Sequence, residues 1–135
     1  PAGIRDDLPA NARHKGWCIQ TLLQIFSSHG YQLTAPPLLE FSTGSASGMF
    51  QTMDPQSQQM LSLRSDITPQ IARIAATRLQ HAPRPLRLCY AGEVLRTSST
   101  ALRSQRQFTQ AGLEMIGGAS TQTDAEVIFL VIQGL

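Results

Sequence analysis

The apolar positions along the chain change period several times, and each change predicts an element. Between residues 11 and 29, Ala12, Trp17, Ile19, Leu22, Leu23 and Phe26 fall on one broad helical stripe with polar residues opposite. Gly30 follows as a C-terminal stop. Residues 31–35 read as a short extended run delivered into Pro36 and Pro37, whose rings oppose both helix and ladder bonding. Residues 42–48 carry no period and read as a polar surface loop. Residues 49–53 and 60–64 flank the turn-forming Asp54, Pro55, Gln56 and Ser57, a β-hairpin with a polar tip. Thr68 and Pro69 then supply an N-cap and an N1 proline to a helix carrying Ile71, Ile74, Ala75 and Leu79. Residues 81–85 break that helix. Strands are predicted over 86–90, 94–96 and 106–116, with 97–105 a polar connecting loop. A final helix starts at a capping-box pattern formed by Thr123 and Glu126, ahead of Val127, Ile128, Leu130 and Val131. Long strands with interspersed helices predict an α+β fold, a mainly antiparallel sheet flanked by helices.

Composition narrows the chemistry. A chain of 135 residues that is 41% hydrophobic and 15% charged can bury a real core. No apolar run approaches the roughly 20 residues a bilayer needs, and no basic flank precedes a hydrophobic N-terminal segment, so a cytosolic protein without membrane anchor or signal peptide is expected. A net charge of +2 offers no strong attraction to nucleic acid. Cys18 and Cys89 fall in a predicted buried helix and a predicted buried strand, which suits reduced thiols better than a disulfide. His14, His29 and His81 lie far apart, so no metal site is expected from them, and the four methionines read as packing.

The strand over 106–116 is the richest segment. Alternation places Gln107, Thr109, Ala111, Leu113 and Met115 on one face, largely core, and Arg106, Phe108, Gln110, Gly112 and Glu114 on the other. The second face is a small-molecule floor, with Gly112 leaving an opening between Gln110 and Glu114; a solvated strand face would carry the same residues. Arg96 ends the preceding strand, and Asp66 with Thr68 stands just before the proline-started helix. Asp66 and Glu114 suit an α-ammonium, Gln110 its orientation, and Arg96 a carboxylate or phosphate. Arg64 reads as a structural arginine at a hairpin end.

These residues bring a resemblance into view. Gly30-Tyr31 followed by Pro37 looks like motif 1 of class II aminoacyl-tRNA synthetases, the helix and strand through which those domains dimerise. Leu95-Arg96 and the run from Arg106 through Glu114 resemble motif 2 of histidyl-tRNA synthetases. The resemblance implies that Arg96 meets the carboxylate and α-phosphate, that Gln110 and Glu114 hold histidine's amino group, that Asp66 and Thr68 form the family's acid-x-Thr element, and that Phe108 takes the adenine-stacking position. It implies a class II fold with residues 1–135 as the N-terminal part of a catalytic-type domain.

Departures from the synthetase pattern indicate a paralogue. Leu63-Arg64-Ser65-Asp66-Ile67-Thr68 stands where synthetases read Leu-Arg-Pro-Glu-Gly-Thr. The whole run from Leu63 to Ile74, with Arg87-Leu88-Cys89-Tyr90-Ala91-Gly92, resembles the regulatory subunits of short-form ATP phosphoribosyltransferase. Ser98 stands where motif 2 carries glutamate, and Ser104 where its loop carries arginine, which leaves Phe108 at most a vestigial nucleotide contact. Loss of charges that position a nucleotide costs more in the transition state than in ground-state binding, so activation of histidine fails before its recognition does. The resemblance thus implies a non-catalytic subunit of histidine biosynthesis without cofactor. Its partners would be a second copy of itself, the short catalytic subunit of ATP phosphoribosyltransferase and histidine as a feedback ligand, with no role for tRNA. A divergent histidyl-tRNA synthetase and a ligand-free dimerisation module are the competing readings.

Overall fold

The computed structural model describes residues 1–42, 48–98, 104–118 and 120–135. The first helix, α1, spans Pro9–Ser28 and so begins ahead of the predicted start, with proline in its first turn. It ends as its glycine requires: Gly30 sits at φ +81°, its N–H donates to Ser27 O, and the Tyr31 N–H reaches back to Phe26 O. This six-to-one closure satisfies the last carbonyls and sets Tyr31 against Phe26 in one buried cluster. The apolar stripe is narrower than its sequence suggests, because Trp17 is 62% exposed and stacks on His14 instead of entering the core. Cys18 is likewise only half-buried, beside His14, whereas Cys89 is buried; both are free thiols.

The extended run after Gly30 pairs over two residues only, β1 (Gln32–Leu33), lying parallel to Leu88 and Cys89. Beyond the prolines comes a strand that periodicity did not reveal, β2 (Leu39–Phe41). It pairs antiparallel with β4 (Met60–Leu63), whose other edge takes β3 (Gln51–Met53). The β3–β4 hairpin has the expected polar tip, where the Asp54 carboxylate accepts from the backbone N–H groups of Gln56 and Ser57. Met53 and Met60 flank that tip and stand exposed, so they are not core packing. The predicted loop over 42–48 lies largely outside the described residues.

The main sheet has the order β1-β5-β6. β5 (Leu86–Leu95) is one uninterrupted strand where sequence suggested two, and it pairs antiparallel with β6 (Gln107–Ile116) over ten residues, from Leu86↔Ile116 to Leu95↔Gln107. Ala91, Gly92 and Glu93 stay in the ladder. Gly92 is there because the Arg64 guanidinium crosses the strand at that point, and any Cβ would collide with it. The sheet thus combines one parallel and one antiparallel pairing within an α+β fold.

Both faces of this sheet are covered. On one side α2 (Thr68–Thr77) packs Ile71 and Ala75, with Ile67 just before it, onto Leu86, Leu88, Tyr90 and Val94. On the other, α1 and α3 (Thr121–Gln133) enclose Phe26, Tyr31, Cys89 and Leu130 with Leu113 and Met115. Each fully buried aliphatic side chain contributes on the order of 2 kcal/mol. The cap of α3 is Ser120, whose hydroxyl accepts from the Thr123 N–H while Thr123 returns the bond; Glu126 is not the boxing residue. Glu126 instead receives Arg87 in a bidentate pair at 3.1 and 3.0 Å. No helix among the described residues is long and apolar enough to cross a membrane.

Candidate functional site

The site begins with a cap that does not cap. Thr68 opens α2, yet helix geometry puts its hydroxyl on the sheet side, where it donates to Glu114 Oε1 at 2.9 Å and lies 2.9 Å from the Tyr90 hydroxyl. No side chain caps the helix at Ile67. Asp66 takes part of that role, its Oδ1 accepting from the Thr68 backbone N–H at 3.1 Å. The same Oδ1 accepts from the Gln110 amide nitrogen at 2.8 Å, and Gln110 Oε1 accepts from the Ile67 N–H at 2.9 Å. Gln110 therefore staples the start of α2 to β6 through both ends of its amide.

Asp66, Thr68, Gln110 and Glu114 accordingly form one connected, half-buried network. Arg96 and Phe108 stand apart from it but together: the guanidinium lies 5.1 Å from the Phe108 ring centroid, and its Nε approaches Ser65 O at 3.5 Å. Phe108 is six residues from Glu114 along β6, about 20 Å at strand rise, and two from Gln110, about 7 Å. The strip thus has an acidic end and a guanidinium end. Among the described residues neither Asp66 nor Glu114 forms an ion pair. Two carboxylates held by neutral donors alone leave a local excess of negative charge that a ligand cation would offset.

Two features of the strip differ from expectation. The polar face of β6 is no open floor, since α2 lies across part of it. Nor is Gly112 an opening: the Tyr90 ring lies over it, and a Cβ there would sit 2.6 Å from the tyrosine hydroxyl. Tyr90 is the residue that sequence reasoning overlooked, although its pairing with Gly112 in the β5–β6 register places a large ring opposite an absent side chain. What remains open is a cavity of ≈310 Å³ beside the network, lined by Thr68 and Glu114, by Ala72, Ala75, Ala76 and Ile116, and by Arg84, whose guanidinium donates to Ala75 O at 3.2 Å.

Arg64 is outside the strip. Its Nε donates to Glu93 O and its Nη1 to Pro36 O, both at 2.8 Å, so its donors bind the hairpin end to β5 and to the proline segment. A second cavity, ≈300 Å³, opens on the opposite sheet face between the N-terminal segment and Glu93. Its charges are already matched: Lys15 meets Glu93 at 2.8 Å and Asp7 at 3.2 Å. Burial works to raise the Glu93 carboxyl, but Lys15, Thr109 and Gln107 outweigh it and hold the group below its ordinary range. No group of three or more His, Cys, Asp or Glu among the described residues is placed to hold a metal ion. Ser98 and Ser104, where synthetases carry charge, are both exposed; the centre of their loop lies outside the described residues.

A motif 1 helix feeding a short strand, a two-stranded motif 2 ladder and an acid-x-Thr turn before a helix define a class II synthetase-like catalytic domain. The histidyl-tRNA synthetase family profile matches residues 3–135, and the chain belongs to that family. It is 50% identical to the ATP phosphoribosyltransferase regulatory subunit of Rhodospirillum centenum, over 100% of this chain and 37% of that protein. Among solved structures it is similar to an ATP phosphoribosyltransferase regulatory subunit/histidyl-tRNA synthetase from Bacillus halodurans, at a TM-score of 0.85 and 33% identity over 99% of this chain and 36% of that one. The apo histidyl-tRNA synthetase of S. aureus superposes equally well, at a TM-score of 0.85 with 26% identity, over 99% of this chain and 33% of that one. The chain spans about a third of the length of these relatives.

Proposed function

We propose that this chain is the N-terminal part of the catalytic-type domain of an ATP phosphoribosyltransferase regulatory subunit, and that its motif 2 strip binds histidine without activating it. The observation that carries the reading is the pair of carboxylates, Asp66 and Glu114, fixed by Gln110, Thr68 and Tyr90 with no cation in the network. An α-ammonium supplies the cation beside Asp66 and Gln110, and Arg96, whose Nε lies 3.5 Å from the neighbouring Ser65 O, meets the carboxylate. Activation requires more: charge on the motif 2 loop to place a nucleotide, where this chain has Ser98 and Ser104. Phe108 is then a platform for Arg96 instead of for adenine.

The names of its relatives support a place beside ATP phosphoribosyltransferase, which the family resemblance sets in the cytoplasm at the first step of histidine biosynthesis. There the subunit works as a homodimer joined through its motif 1 segment and associates with the short catalytic subunit, with no part for tRNA. Histidine transmits feedback only by binding two conformations of that assembly unequally. The test is calorimetric titration of histidine and then ATP into the full-length protein. Histidine binding that Glu114→Ala abolishes, with no heat from ATP, is the expected result. Tight joint binding of both, with ATP–pyrophosphate exchange, would overturn it in favour of a synthetase.

A further inference from the structure

Glu114 has two carboxylate oxygens, and the structure uses them differently. Oε1 accepts from the Thr68 hydroxyl at 2.9 Å and lies 3.3 Å from the Tyr90 hydroxyl. Oε2 has no hydrogen-bond partner among the described residues, and Glu114 lines the ≈310 Å³ cavity beside the network. The Tyr90 hydroxyl also lies 2.9 Å from Thr68 Oγ1, closer than it lies to Glu114. Thr68 has one proton, which goes to Glu114, so at this shorter contact the tyrosine is the donor. The three groups then form a directed chain, Tyr90 to Thr68 to Glu114, in which each bond polarises the next towards the carboxylate.

Tyr90 is 4% exposed, and it reaches Glu114 only because Gly112 lies between Gln110 and Glu114 on the strand. Burial, with Glu114 nearby, pushes its phenol above the ordinary range against the opposing Thr68 bond, so it remains a proton donor across neutral pH. A core tyrosine stabilising the sheet alone would have its hydroxyl partner anywhere; this one is spent on a carboxylate that lines a cavity.

We infer that Tyr90 is a positioning residue: seated over Gly112, it holds Glu114 Oε1 through Thr68 and thereby presents Oε2 to the cavity as the acceptor for a ligand N–H group. The role in binding rests on the histidine reading above, whereas the positioning does not. A fully ionised carboxylate, having no proton to give, is not accepted at Oε2 itself, because Oε2 accepts only; Arg84, on the same cavity, is the lining group that suits an anion.

Tyr90→Phe tests it, since the ring that packs over Gly112 is kept and only the hydroxyl is lost. The full-length wild-type and Tyr90→Phe proteins are titrated with histidine, and both are crystallised without ligand to compare the Glu114 carboxylate. About tenfold weaker histidine binding, on the order of one hydrogen bond lost from the chain that ends on the carboxylate, together with a rotated Glu114, is the expected outcome. Unchanged affinity, or an unmoved carboxylate, would overturn the inference; a tyrosine with only a structural role would lower the melting temperature and leave both readouts alone. If the wild-type protein does not bind histidine, the proposed function fails separately, and the carboxylate comparison still decides the positioning: rotation supports it and an unmoved Glu114 overturns it.

Discussion

At the scale of single residues, the largest effects come from places where one side chain occupies the space another leaves vacant. Gly112 is such a place, and its φ plays no part in it: a Cβ would press on the Tyr90 ring at 2.6 to 2.7 Å, and the ring is walled in by the core. Gly112→Ala is therefore expected to cost about 1–3 kcal/mol of stability in urea unfolding, as overpacking does. Tyr31 shows the electrostatic counterpart. Burial first, then the nearby Glu126 carboxylate, pushes its phenol from 10.0 to about 12. The native state thus keeps a proton that the unfolded chain gives up. The stability this contributes is complete below pH ~10 and disappears as pH rises towards about 12. Absorbance titration should find one tyrosine ionising near 12, and Tyr31→Phe should flatten the fall in unfolding free energy across that window. The carboxylate partner of Tyr31 was not legible locally, since Glu126 lies 95 residues away in sequence.

At the scale of elements, α2 and the segment leading into it act as a clamp. Arg64 ties that segment to Pro36 and to Glu93, Gln70 on α2 donates to Pro37 O at 2.9 Å, and Arg73 pairs with Glu40 on β2. The acid-x-Thr turn is thereby joined to the proline segment, which closes the motif 1 stretch for which we propose a dimer interface, and to β2 just beyond it. Gly92 keeps the crossing of Arg64 over β5 open, so Gly92→Ala should displace the guanidinium from both carbonyls. Leaving those acceptors and a partly buried cation unmet predicts a loss of about 2–4 kcal/mol in denaturant unfolding, with histidine affinity falling as the turn loosens. An unchanged unfolding midpoint would show that the guanidinium has another way across. The glycine itself was visible in the sequence, but as a break between two strands. Only the path of Arg64 explains why it belongs inside one.

At the scale of the whole molecule, the small sheet leaves Leu39, Phe41, Met53 and Met60 exposed, and α3 leaves Ile128, Phe129 and Ile132 exposed. Apolar side chains in such number on neighbouring strands mark an interaction surface. Under the proposed motif 1 dimer, Phe41→Glu in the full-length protein should shift sedimentation towards the monomer; a dimer that persists would place the interface elsewhere. Under the proposed function, the charge departures on the motif 2 loop belong to this scale too, because they act on the reaction and not on the fold. Restoring glutamate at Ser98 alone should not yield ATP–pyrophosphate exchange, since Ser104 is also altered and residues that act as a unit are not additive.

The helical stripe of α1 with its glycine stop, the hairpin tip at Asp54, the proline-started α2 and the alternating β6 were all determined by local sequence. Their signals are local too: period, backbone restriction and turn chemistry act within a few residues. Sequence also determined which side chains of β6 share a face, and so brought Gln110 and Glu114 together on paper. Tertiary structure decided what those side chains do. It turned the Thr68 hydroxyl from a cap into a donor to Glu114, filled the gap at Gly112 with Tyr90, made β5 continuous and created β2 by pairing it with β4. Each of those outcomes depends on a partner brought near by the fold, and a hydrogen bond or a steric contact has no existence until that partner arrives.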